Sequence, residues 1–478
     1  MATGRNQVDD LVVVVPGIMG SRLADADGRE VWGPSGEALL RGIRTLGGSL
    51  KDLALPRGVL DGHPGDGVRP VGVMRDVHGL PGLSPLVEGY TDLLGWLRRH
   101  FTLDLRPPGD DPSTPANLIA FAYDWRLSCR YNAERLGERV SEELDRWREA
   151  GHPDAKVVFV CHSMGGLVAR QYVELGGGAE ITRRVVTLGT PYRGSLDALL
   201  YLVNGLRVSE LRGGLARLVP LNLSDFARSL PSLHQLSPDY ACLDGVPGRT
   251  GLHYAREVTG LPGLDAELLD DAQTFHSDLR ESRAGAAYGV EYAPVSGALQ
   301  PTPTTAVVDG AGRLTPLLTI DGADEGGDGR VPALSSAHVG AGRPAYTPWE
   351  QHGSLQNNRA VREGLSGWLA GAPVYHRGPG DETTALGVRV PDVVAEGEPC
   401  EVVVTAARDS PGYAELAVGV RVDPEDGEGG VIPLRNLDGG RYVTALTGLA
   451  PGVHRLKVGA GSRPERTVTA LVLVVGCE

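Results

Sequence analysis

The chain is poor in the features that hold a nucleic acid, a cofactor or a covalent staple. Its 478 residues carry 46 lysines and arginines against 60 aspartates and glutamates, a formal net charge of −14. The lack of a basic excess to neutralise phosphates argues against a nucleic-acid partner, and electrostatic docking on an anionic membrane is disfavoured. Any membrane contact would have to be local and apolar. Cysteine is scarce as well: Cys129, Cys161, Cys242, Cys400 and Cys477 are an odd number without CxxC or Cys/His spacing, which argues against a disulfide framework and a zinc site. Free thiols in a reducing compartment are expected. Long apolar runs are absent. Leu11 to Val15 is too short for a signal-peptide core or a membrane span, and Gly476-Cys477-Glu478 is not a prenylation box. These features predict a soluble, cytoplasmic protein. Neither GxGxxG nor a GK[ST] ending follows the first apolar run, which makes a dinucleotide or P-loop site unlikely, so no cofactor is expected.

What the chain does have is Val157-Val158-Phe159-Val160-Cys161-His162-Ser163-Met164-Gly165-Gly166. A continuous apolar run predicts a buried strand, and Leu167, Val168, Tyr172 and Val173 continue at helical spacing. A serine on the turn between a strand and a helix, followed by glycines, is the pattern of a nucleophile elbow, in which strained backbone lifts the hydroxyl clear of the sheet. The usual spacing is G-x-S-x-G. Cys161 stands where the first glycine would be and is small enough for the turn. Leu11 to Val15 is a second buried strand, ending at Pro16-Gly17-Ile18-Met19-Gly20-Ser21. In an α/β-hydrolase this loop lends a backbone N–H to the oxyanion hole, opposite the N–H of the residue after the nucleophile, which by position are Ile18 and Met164.

Several of these stretches resemble one family. Val15-Pro16-Gly17-Ile18-Met19-Gly20-Ser21 is similar to the opening motif of the lecithin:cholesterol acyltransferase family, which includes lysosomal phospholipase A and phospholipid:diacylglycerol acyltransferases. Phe121-Ala122-Tyr123-Asp124-Trp125-Arg126 resembles its YDWR segment. His162-Ser163-Met164-Gly165-Gly166, Leu188-Gly189-Thr190-Pro191-Tyr192-Arg193-Gly194-Ser195 and Gly327-Asp328-Gly329-Arg330-Val331-Pro332 follow in the family's order, and together they span roughly residues 11 to 370. The strong bias to arginine over lysine suggests a bacterial member from a GC-rich genome. The resemblance implies an α/β-hydrolase fold and a lipid ester substrate, most plausibly a glycerophospholipid. It also aligns Asp328 with the family's acid, with Asp324 as the fallback.

The order Ser, Asp, His along these chains leaves His338, His352 and His376 as candidate bases. His352 precedes a helix carrying Val361, Leu365, Trp368 and Leu369, which is where this fold places its base, whereas His376 falls in the following linker. Asp124 and Arg126 are read as a structural ion pair, since a paired arginine is a poor proton carrier. His234, in Leu230 to Leu236, is read as structural. The acidic run Asp321 to Gly329 does not fit the D-x-[DN]-x-[DN]-G calcium loop, so no metal is assigned.

The rest of the chain divides into regions. Asp25 to Gly82 is rich in glycine and proline and reads as loops. Residues 195 to 285 read as a helical cap or lid inserted in the hydrolase domain. Its stripe Leu196, Leu199, Leu200, Val203 and Leu206 is dense enough in leucine to line an acyl site or touch a lipid surface, or to pack on the core. Residues 290 to 335 read as a return to the main sheet. A Gly/Pro linker closes a hydrolase domain of residues 1–375, and residues 385–478 alternate as short strands, predicting a small β-sandwich of immunoglobulin or fibronectin type that could hold a protein partner. The expected protein is a serine acyl-ester hydrolase or acyltransferase using Ser163, Asp328 and His352. Its rivals are a non-lipid carboxylesterase or thioesterase on the same site, and an interaction protein whose hydrolase domain is inactive.

Overall fold

The computed structural model describes residues 5–33, 53–75, 77, 86–106, 114–205, 223–337, 346–370, 385–407, 412–423, 430–461 and 467–476. At its centre is a parallel sheet of five strands: β1 (Leu11–Val15), β2 (Leu118–Ala120), β3 (Val157–His162), β4 (Thr182–Leu188) and β5 (Glu291–Val295), in the spatial order β2-β1-β3-β4-β5. Continuous apolar strands follow from burial on both faces. Leu11, Val13, Val15, Val157, Phe159 and Cys161 join one core, while Val12, Val14, Val158 and Val160 join the other. The first face is covered by the helices Cys129–Glu149 and Met164–Leu175, the second by Thr91–His100 and Arg359–Ala370. Apolar stripes at helical spacing supply these contacts: Leu93, Leu94 and Leu97 on one helix, Leu136, Val140 and Leu144 on another.

Two regions differ from the sequence reading, and in a third, the cap helix, packing is the one of its alternatives that is observed. Within the stretch read as loops, Glu30–Trp32 and Arg69–Val73 pair on either side of Ser21–Ala24 as a small antiparallel sheet. Their pairing is non-local, and Gly72 and Pro70 hide the alternation. Residues 305 to 317 do not return to the main sheet. Thr305–Val308 pairs in parallel with the short cap strand Leu243–Asp244 and antiparallel with Leu314–Leu317, so the cap's framework reaches beyond residue 285. The cap helix Leu196–Asn204 is buried from Leu196 through Val203, with Leu196, Leu199, Leu200 and Val203 in one core cluster and Ala198, Tyr201 and Leu202 in another. Packing on two sides accounts for its leucine density, and it offers no open lipid-facing stripe; Leu206 lies outside the described residues.

Beyond the final helix two sheets face each other across a shared core. One holds Leu386–Arg389, Cys400–Ala406, Arg441–Leu446 and Arg435–Asn436; the other holds Val393–Ala395, Thr467–Val475, Gly452–Ala460, Val418–Asp423 and Ile432–Pro433. Neighbouring strands are antiparallel except Val393–Ala395 and Thr467–Val475. Cys129, Cys161, Cys242 and Cys400 are buried free thiols, and Cys477 lies outside the described residues.

Candidate functional site

Ser163 sits at the end of β3 with φ 51° and ψ −127°, a left-handed conformation that a non-glycine residue holds only when its surroundings enforce it. The enforcement is visible. The Ser163 N–H donates to the Leu188 carbonyl at 2.9 Å, and its own carbonyl accepts from Gly166 N–H at 3.0 Å and from the Thr190 hydroxyl at 2.9 Å. Thr190 thus gives the Leu188-Gly189-Thr190-Pro191 run a physical task. Cys161 is fully buried, and burial pushes its thiol far above the ordinary range, so it is no competing nucleophile.

His352 meets Ser163 at the carboxyl end of the sheet. Its Nε2 lies 3.0 Å from Ser163 Oγ, and its Nδ1 lies 2.7 Å from Asp328 Oδ2. An aspartate oxygen accepts, so Nδ1–H is the donor and Nε2 is left to accept the serine hydroxyl proton. Asp328 is buried, and its second oxygen accepts from Arg330 N–H at 2.9 Å and Val331 N–H at 2.7 Å, which fixes the carboxylate. The His352 N–H also donates to the Asp328 carbonyl at 2.8 Å, tying the two loops together. Gly189, at φ 62°, lies against this pair. A methyl there would sit 2.8 Å from Asp328 Oδ2 and 2.9 Å from His352 Nδ1, so only glycine leaves the contact intact. The fallback Asp324 instead accepts from Gly326 N–H at 2.9 Å. His338 and His376 lie outside the described residues.

The loop after β1 closes on the serine. A methyl on Gly17 would lie 3.0 Å from Ser163 Cβ. Gly17 to Gly20 form a turn, the Gly20 N–H donating to the Gly17 carbonyl at 3.0 Å with Met19 at φ 60°, and the Ile18 N–H takes no part in that bond. Met164 begins the elbow helix, where backbone N–H groups point outward and the helix dipole favours negative charge.

Two residues that the sequence reading passed over complete the site. Tyr90 Oη accepts the Gly17 N–H at 2.9 Å and donates to His162 Nδ1 at 3.0 Å; His162 Nε2–H donates to the His352 carbonyl at 3.0 Å. The tautomer follows, because a carbonyl can only accept. Burial pushes the Tyr90 phenol well above its ordinary range, so it keeps the proton it donates. This buried chain links the loop after β1, the end of β3 and the loop of His352. No spacing rule signals it, though a histidine directly before an elbow serine is a position worth testing for such a link.

The remaining candidates are structural. Arg126 is fully buried, with Nη2 at 2.7 Å from Asp124 Oδ2 and Nη1 at 2.8 Å from Asp66 Oδ2. His234 donates from Nδ1 to the Leu230 carbonyl at 2.9 Å, and burial lowers its pKa. A cleft of about 740 Å³ borders Asp328 and His352 on the side of the C-terminal sheets, and Ser163 is not in its lining. No helix among the described residues is long and apolar enough to cross a membrane.

Residues 113–241 match the family model of lecithin:cholesterol acyltransferase, a stretch containing Asp124-Trp125-Arg126, the elbow and the Thr190 run. Over that stretch the chain is similar to the lecithin:cholesterol acyltransferase family. Protein SERAC1 of Mus musculus is 25% identical over 126 residues, and that of Homo sapiens 26% over 126, each covering 24% of this chain. The chain spans only 18% of the length of these curated relatives. Among solved structures, a Bacillus licheniformis lipase in its mature form matches at 12% identity, covering 74% of this chain and 90% of its own, with a TM-score of 0.34. Phospholipase PlaB from Legionella pneumophila matches at 10% identity, covering 98% and 92%, with a TM-score of 0.31.

Proposed function

We propose that the protein is a serine acyl-ester hydrolase or O-acyltransferase acting on a lipid ester, a glycerophospholipid. The observation that carries this reading is the unbroken chain from Ser163 Oγ through His352 to Asp328, at 3.0 and 2.7 Å. Ser163 attacks the ester carbonyl as His352 takes its proton, and the leaving alcohol receives that proton from His352. Asp328 holds the imidazole tautomer and stabilises the imidazolium. The Ile18 and Met164 amides stabilise the tetrahedral oxyanion, each contributing about 3 kcal/mol in comparable sites. Water or an acceptor alcohol then resolves the acyl-enzyme. The lipid half of the reading is supported by the family match over residues 113–241. In domain terms, residues 1–375 form the hydrolase, its cap at about 195–285 joined by the strands Thr305–Val308 and Leu314–Leu317, and residues 385–478 form a sandwich of immunoglobulin or fibronectin type.

The test uses mixed-chain phosphatidylcholine vesicles with wild type and Ser163→Ala, half of the samples containing an alcohol acceptor, with fatty acid and lysophospholipid read by mass spectrometry. Release by wild type is expected to fall by about four orders of magnitude or more in the variant. Acceptor esters among the products identify a transferase. If wild type cleaves only a short-chain soluble ester, the lipid assignment fails and the carboxylesterase reading replaces it.

A further inference from the structure

The three residues before His352 are all fastened to the C-terminal sheets. Trp349 packs on the core those sheets share. Glu350 Oε1 accepts the N–H of Thr469, on the strand Thr467–Val475, at 2.7 Å, and its Oε2 accepts from Asn358 Nδ2 at 3.1 Å. Gln351 Nε2 donates to the Val388 carbonyl at 2.9 Å. On the far side of His352, the Gly353 carbonyl accepts the Glu88 N–H at 2.8 Å, and the buried Glu88 carboxylate binds Asn357 Nδ2 at 2.9 Å and Arg455 Nε, on the strand Gly452–Ala460, at 2.8 Å.

The loop carrying Asp328 is held from the same direction. Gln300 uses its side-chain amide as a short stretch of strand: Oε1 accepts the Val388 N–H at 3.0 Å and Nε2 donates to the Leu386 carbonyl at 3.1 Å, while its backbone N–H donates to the Gly327 carbonyl at 3.0 Å. Arg330, two residues after Asp328, pairs with Asp392 at 2.5 Å and with the cap's Asp197 at 3.1 Å. Leu86, Val393, Leu471 and Leu473 close the seam with an apolar cluster. A domain that is merely tethered could touch its neighbour anywhere. Here the polar contacts converge on the two loops that carry the acid and the base; those of Gln300 are buried, and the others are partly buried.

We propose that the C-terminal β-domain is a positioning element of the Ser163 site, holding the base loop through Trp349, Glu350 and Gln351 and the acid loop through Gln300 and Arg330. The inference rests on the serine-hydrolase reading above. Proton transfer through His352 requires its imidazole to hold one position between the serine oxygen and the leaving oxygen, and a displacement of about 1 Å can cost up to a hundredfold in rate. Ester binding in the ground state does not depend on that alignment, so loosening the loops lowers kcat and leaves KM in place.

The test uses the full chain with Asp392→Asn, Arg455→Gln, the double variant, and Arg455→Lys as the conservative rescue. The readouts are kcat and KM on a short-chain p-nitrophenyl ester, the rate of fluorophosphonate labelling at Ser163, and the thermal melt. We expect kcat and labelling rate to fall about tenfold in the double variant with KM within about twofold, and Arg455→Lys to recover most of the loss. Each single variant breaks only one of the two ion pairs, so the singles carry the same comparison if the double melts below the assay temperature. Folded variants with unchanged kcat, or a loss confined to KM, would overturn the proposal. A wild-type protein that is folded yet unlabelled at Ser163 would overturn the serine-hydrolase reading itself, a result separate from any difference among variants.

Discussion

At the scale of single residues the site depends on groups whose value lies in one polar atom. Tyr90 falls at helical spacing with Leu93, Leu94 and Leu97, and periodicity reads it as one more apolar contact; its ring is indeed buried. The hydroxyl at the end of that ring is what connects Gly17 to His162. Tyr90→Phe keeps the packing and leaves a buried N–H and a ring nitrogen without their partner, a loss of about 1–3 kcal/mol. The expected outcome is a modest drop in the denaturant midpoint and a fall of about tenfold in kcat, since the Gly17 loop is released and His162, which binds the His352 carbonyl, loses the partner that fixes its ring. Unchanged kcat in a folded variant would show that the chain only supports the fold. The meeting of Ser163, Asp328 and His352 was legible because elbow spacing and chain order are local or topological signals. The Tyr90–His162 link was not legible, because it joins residues 72 positions apart through atoms that hydropathy does not distinguish.

At the scale of elements, the runs that could be read were those whose partners do not matter. The apolar strands β1 and β3 and the amphipathic helices announce themselves by composition, since burial on two faces or one stripe leaves a pattern in any context. Thr305–Val308 could not be assigned in the same way, because an apolar run does not name the sheet it joins, and here it joins Leu243–Asp244. The contact between Glu350 and the Thr467–Val475 strand is of this second kind, and it carries a pH signature. Burial pushes the Glu350 carboxyl up to about 8, against hydrogen bonds from Thr469, Asn358 and Gln351 that pull it down, with the Glu88 carboxylate adding to the rise and Arg455 paired to Glu88 nearby. The folded state therefore holds a proton that the unfolded chain releases near 4.5, and stability falls as pH rises from there to about 8. The full effect is on the order of 5 kcal/mol. Glu350→Gln, which cannot ionise, is expected to flatten that decline. Urea denaturation of both proteins at pH 5 and pH 8 checks it, and parallel slopes would mean that Glu350 is ionised throughout.

At the scale of the whole molecule, the seam between the two halves works against a second titration inside the cap. His276 is buried and donates from Nε2 to the Gln235 carbonyl at 2.8 Å, and burial lowers its pKa from 6.5 to about 4. Here the unfolded chain binds the proton first, so stability is intact above 6.5 and is lost as pH falls toward 4, by on the order of 3 kcal/mol. His234, lowered by the same cause, acts in the same direction. Between about 4.5 and 6.5 the Glu350 and His276 slopes oppose each other, with His234 acting on the side of His276. Above 6.5, of these three groups, only the Glu350 decline remains. The balance of the three therefore places the most stable pH at or below about 6.5. His276→Gln is expected to shift that maximum toward lower pH by removing an acid-side loss, and Glu350→Gln to shift it upward. Midpoints of urea unfolding measured from pH 4 to 8 on the three proteins decide the matter. If both variants peaked where wild type does, neither buried group would be controlling the pH dependence of the fold.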